Sequence, residues 1–241
     1  MRNPVLSFGR RVVGVSLFLF ACVAPAPPLR AEPLPPDVVP ITAEPDHKIR
    51  FDNGRVRLVE ARIPRGRLTK FHEHQFDAFF VFFANAAVTN EAYGGKPTTS
   101  PTPVGAAYFI PAPLGGYIHR VGAGADAAVH VSALELMVPP ATDRGEPEGR
   151  FPPFELAIES ARGRMYRLKL DPGESAEAFT RPAGTAIVAV SSGRSSEQRD
   201  GGPTTLWDFE PGDFRWVDTA EELTVRNDGS APIELIEIEV F

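Results

Sequence analysis

The chain predicts an all-β protein made of two tandem antiparallel barrels, and two observations carry that prediction. Short runs rich in Val, Ile, Phe and Thr alternate with Gly, Pro, Asn and Asp punctuation, and helical periodicity is convincing nowhere in the 241 residues. The second half then repeats the first. At an offset of 107 residues Gly173 falls on Gly66, Leu168 and Leu170 on Ala61 and Ile63, and Val188 on Val81; at 104, Ile238-Glu239-Val240 falls on Leu134-Glu135-Leu136.

In chain order, residues 1–31 predict a secretory signal. Arg10-Arg11 precede an apolar run over 12–20 that is too short to span a bilayer. Cleavage after Ala24 or Ala31 sends the protein to the periplasm or the medium. Alternatively, Leu19-Phe20-Ala21-Cys22 is an imperfect lipobox that makes Cys22 a lipid anchor. Cys22 is the single cysteine, so no intrachain disulfide exists. Without residues 1–31 the chain carries 21 basic against 31 acidic residues, which argues against nucleic acid and anionic membrane surfaces as partners.

Residues 32–46 read as a proline-rich extended leader without evident chemistry. The first unit, 47–138, is expected to hold strands at 48–51, 56–63, 68–71, 78–83, 87–89, 106–110, 117–121 and 128–137. Asp52-Asn53-Gly54 and Pro64-Arg65-Gly66 supply turns. Residues 139–153 form a Pro/Gly-rich linker and 154–241 the second unit. Both units carry a polar Gly/Pro-rich excursion, 91–103 and 191–203. The first is read as a candidate lid.

Chemistry concentrates in Phe71-His72-Glu73-His74. On a strand His72 and His74 share one face, and His119, returning on a later strand, can close a facial metal site. The same parity turns Glu73 and Asp77 away. It places Phe76, Phe80 and Phe82 inside with the histidines, and Phe76 and Tyr117 at an apolar mouth suited to a small-molecule ligand. Phe79, Val81 and Phe83 then face outward and need cover from the second repeat or from another subunit, which is the ground for expecting a homodimer. His47 and His130 read as satisfied structural histidines. Arg67 and Lys70 read as a solvated face, and Trp207 and Trp216 as core or inter-unit seam. Nucleophile elbow, phosphate loop and mature cysteine nucleophile are all absent.

These residues resemble the cupin superfamily. Gly66, five residues and His72-Glu73-His74 match the front of its first motif. The motif glutamate falls on Ala78 or Phe79, and its last glycine near Asn85, a residue able to take the left-handed turn conformation. Gly105, Pro111, Gly116 and His119 follow the second motif with an insertion around residues 113–115, and Ala123 replaces its Asn. The resemblance implies a bicupin of jelly-roll barrels with one divalent ion (Zn, Fe, Mn or Ni) on His72, His74 and His119. The repeat sets Phe179, Arg181 and Leu223 at the equivalent positions, so the second barrel lacks ligands. It further implies a metal-dependent oxygenase or isomerase with Asp77 and Tyr117 as candidate acid–base groups. The rival expectation is a non-enzymatic periplasmic module for a small ligand or partner.

Overall fold

The computed structural model describes residues 33–113, 116–139 and 150–241. The signal segment and most of the linker lie outside the described residues. Alternating apolar positions and short turns give strands almost throughout. The first unit is built from β1 (Val38–Pro40), β2 (His47–Asp52), β3 (Val56–Ile63), β4 (Phe71–His74), β5 (Ala78–Phe82), β6 (Ala86–Ala92), β7 (Thr98–Thr102), β8 (Ala107–Ile110), β9 (Tyr117–Ala123) and β10 (Val129–Leu136). Two sheets face each other, in the orders β1-β4-β9-β6-β7 and β2-β3-β10-β5-β8.

The second unit copies this plan with β11 (Phe154–Ser160), β12 (Gly163–Leu170), β13 (Phe179–Arg181), β14 (Thr185–Ala189), β15 (Gly193–Arg199), β16 (Thr204–Phe209), β17 (Phe214–Val217), β18 (Glu221–Asn227) and β19 (Ile233–Val240). Its sheets run β11-β12-β19-β14-β17 and β13-β18-β15-β16, the first unit's orders without β1. Register repeats as well. Ala61 pairs with Val131 and Leu168 with Leu235; His72 pairs with His119 and Phe179 with Leu223. The sequence offsets therefore hold residue by residue through the hydrogen-bonded ladders.

Three apolar clusters follow from strand parity. Ala61, Ile63, Val129 and Val131 fill the first barrel with Phe80 and Phe82 against them. Leu168, Leu170, Ile187, Trp207 and Leu235 fill the second. Between them Val56, Leu58, Phe79, Val81, Phe83 and Leu134 pack on Met165, Ala186, Val188, Ile236 and Ile238. The outward face of β5 is thus covered by the second repeat within the same chain, which accounts for the apolar face that suggested a homodimer. Trp216 packs on this seam and Trp207 in the second core.

Several expectations are corrected. The leader is not featureless, because β1 adds in parallel to β4, pairing Val39 with His72. The excursions 91–103 and 191–203 are not loops or lids. They are the hairpins β6–β7 and β15–β16, with Pro101 on an edge strand, where a missing N–H is tolerated. The strand expected at 68–71 begins only at Phe71. Asn85 keeps an ordinary backbone, since positive φ among the described residues is confined to glycines; it accepts the Val104 N–H at 2.8 Å instead.

Candidate metal centre

Gly66, at φ 68°, turns the chain after β3 and launches the segment leading to β4. Gly116, at φ 85°, does the same before β9, and its missing side chain leaves room for Glu73, which would sit 2.8 Å from a Cβ there. β4 and β9 then lie side by side, bringing His72, His74 and His119 together with ring centroids 4.6 to 5.3 Å apart. All three are buried, and one ring nitrogen from each lies within 4.8 Å of the others.

The Nδ1 atom of each ring is already engaged. His72 Nδ1 is 3.0 Å from the Lys70 carbonyl, His74 Nδ1 3.1 Å from Glu135 Oε1, and His119 Nδ1 2.7 Å from Asn90 Oδ1. Each partner accepts, so each Nδ1 donates its proton there, which leaves Nε2 as the nitrogen available to a ligand. His72 Nε2 and His119 Nε2 are buried without a hydrogen-bond partner. Burial, reinforced by neighbouring histidines, lowers His72 to about 3 and holds His119 well below its ordinary value. Burial keeps His72 and His119 neutral, and their orphaned Nε2 acceptors beside His74 are the donor set a divalent cation requires, so the residues fit that group.

Four supporting residues escaped the sequence reading. Glu135 follows Val131 and Ala133 on the inward parity of β10, so an acid in an apolar strand was its signal. Asn90 lies on β6 between the strand expected at 87–89 and the supposed excursion at 91–103, and neither reading covered it. His47 lies in ring contact with His72, 4.5 Å between centroids, and its Nδ1 is 2.6 Å from Glu44 Oε2. Glu44, in the leader, also accepts the Asp46 and Lys70 N–H groups. Burial would raise its carboxyl, but these hydrogen bonds and His47 outweigh that and lower it.

Of the two acid–base candidates, Tyr117 lines the site. Its ring is 4.7 Å from His119, and its hydroxyl oxygen accepts from Asn90 Nδ2 at 3.1 Å. Asp77 does not reach the histidines. It accepts the Ala112 N–H at 2.8 Å and faces Arg162 of the second barrel at 3.4 Å. Phe76 is not in the mouth either, because residues 75–77 carry the chain from one sheet to the other and alternation does not run through them. Glu73 points away from the cavity, as parity requires, but is buried and accepts from Gln75. Arg67 pairs with Asp46 at 3.0 Å, and His130 with Glu60 at 2.8 Å. Beside the histidines a cavity of about 130 Å³ opens past Phe80, Phe82, Tyr108, Ile110, Tyr117 and Val131.

The second barrel closes the equivalent place. Arg181, the counterpart of His74, is fully buried and meets Glu237 at 2.7 Å and Glu197 and Glu221 at 3.0 Å each. A guanidinium therefore stands where the first barrel gathers imidazoles.

A sheet pair of this topology, repeated once, with histidines on the inward face of one copy, defines a bicupin-like fold. No protein-family model matches the chain, and no curated protein matches it. Solved structures do. The chain is similar to AerE from Microcystis aeruginosa, at 12% identity and TM-score 0.57 over 82% of this chain and 98% of that one. It is similar to a cupin 2 conserved barrel domain protein from Leptotrichia buccalis, at 12% and 0.51 over 81% and 88%. It is also similar to Bacillus subtilis oxalate decarboxylase, at 16% and 0.51 over 77% and 69%. At these identities the likeness shows the cupin fold in its two-barrel form.

Proposed function

We propose that this protein is an exported bicupin that binds one divalent metal through His72, His74 and His119 and acts on a small oxygenated molecule as an oxygenase or isomerase. The observation that carries the reading is the fixing of all three Nδ1 atoms, which directs the free nitrogens of the rings to one buried point. Oxalate decarboxylase of similar fold has Mn(II) centres, which supports manganese alongside zinc, iron and nickel as the ion.

A divalent ion bound there supplies Lewis acidity toward a carbonyl or carboxylate oxygen. Asn90 holds the Tyr117 oxygen as an acceptor, leaving the phenolic proton free to be donated to a bound oxygen. The aliphatic and aromatic wall excludes water from the reacting atoms.

Elemental analysis of the tag-free processed protein tests the metal. We expect about one equivalent, lost in His72→Ala/His119→Ala that remains folded by circular dichroism. Equal trace metal in both would sink the reading. Turnover abolished by the same substitutions assigns an enzyme, whereas stoichiometric metal without turnover assigns a binding module. The mass of the processed chain in fractionated cells checks export, an intact N-terminus in the cytoplasm being the contrary result.

A further inference from the structure

Resting on the metal reading above, we infer that the cavity selects a small monoanion with a compact hydrocarbon body, a monocarboxylate or an enolised ketone, and rejects dicarboxylates. Size sets the first limit. The cavity measures about 130 Å³, and one of about 150 Å³ holds benzene, so the ligand has roughly six heavy atoms.

Charge sets the second. Apolar side chains, among them Ala61, Ile63, Phe80, Phe82, Val121 and Val131, make most of the wall, and no Lys, Arg, Asp or Glu is among the described residues that line it. Imidazole ligands bring no negative charge, so a bound divalent ion would keep its full charge and favour an anionic oxygen ligand. A second carboxylate would enter a hydrocarbon wall with no cation of its own, a burial that is strongly unfavourable. The nearby guanidinium groups are committed elsewhere: Arg57 pairs with Asp52 at 2.9 Å, and Arg120 with Glu91 at 2.7 Å. Tyr108 and Ile110, both exposed, also line the cavity. Polar recognition beyond the three histidines is left to the Tyr108 and Tyr117 hydroxyls, the Asn90 amide and the His47 ring.

Butyrate and succinate test both limits together, because they share a four-carbon chain and succinate carries a carboxylate, two oxygens larger, in place of the methyl group. A lysine variant separates charge from size. The full processed chain is loaded with Co²⁺, its stoichiometry is measured, and each anion is titrated by visible absorption and calorimetry. We expect butyrate to perturb the cobalt spectrum and to bind roughly tenfold or more tighter than succinate. Val88→Lys places an ammonium on a half-buried lining position of β6, where its stem can lie along the wall. This variant is expected to gain succinate affinity by roughly tenfold. Succinate binding as tightly as butyrate to the natural chain, or neither anion perturbing the spectrum, would overturn the inference while leaving the metal site standing. Failure to load cobalt would overturn the metal reading and this inference with it. Should the lysine variant not fold, the comparison on the natural chain decides alone.

Discussion

The acceptors behind the histidines decide how well the site holds an ion. Glu135 is fully buried and faces both His74 Nδ1 and, at 3.6 Å, the Arg57 guanidinium. Glu135→Gln is expected to weaken metal affinity about 10- to 100-fold, the usual cost of losing such a partner; competition with a chromogenic chelator measures it, and unchanged affinity would contradict the role. Proton linkage gives a second expectation. In the metal-free protein His72 titrates at about 3 against an ordinary 6.5. Between those values the unfolded chain binds the proton and the folded chain does not. Stability is therefore lost as pH falls from 6.5 toward 3, by up to about 1.4 kcal/mol per pH unit for this residue, and is independent of it above that window. Denaturant titrations of metal-free protein at several pH values should show a shallower slope in His72→Gln. The histidines were legible because their spacing survives in a linear string. Glu44, His47 and Asn90 were not, since each reaches the site through contacts between segments distant in sequence.

Strands show how the same plan serves two ends. Most of the β-runs were readable from apolar alternation, but β1 and β7 were obscured by Pro40 and Pro101, residues that disfavour central strands and are accommodated on edges. β4 and β13 occupy equivalent places, yet one carries His72 and His74 and the other Phe179 and Arg181. Burial pushes the Glu237 carboxyl up, but Arg181 and Arg150 outweigh it and hold the group at about 2. Arg181→Met would strip the main cation from Glu197 and Glu237 and is expected to cost about 3–5 kcal/mol in chemical denaturation. Metal stoichiometry in the first barrel should not change. Arg181→Met combined with Glu237→Gln should recover part of the loss, because the unpaired charge is removed. A single variant as stable as the natural chain would show that the cluster is dispensable.

At the scale of the whole molecule the two barrels share one apolar core cluster, so they are expected to unfold together. Phe79 is fully buried in the seam, 4.8 Å from the Phe109 ring, and Gly163 of the second barrel approaches it so closely that a Cβ would lie 3.3 Å from its ring. Phe79→Ala is expected to cost about 3–5 kcal/mol and to lower the unfolding midpoint of both barrels together. The seam is reinforced by polar ties: Arg167 Nη2 donates to the Gly105 carbonyl at 2.7 Å, and Arg162 Nη2 to the Leu136 carbonyl at 3.1 Å. A first barrel produced alone as residues 33–139 would present Val56, Leu58, Phe79, Val81, Phe83 and Leu134 to water as one continuous face. Such a face on an isolated domain drives self-association. Size-exclusion chromatography with light scattering should find dimers or larger species, and adding residues 150–241 should convert them to a one-to-one complex. A stable soluble monomer of the first barrel would mean that the degenerate barrel is not needed to cover it, and its retention would then call for a role other than support.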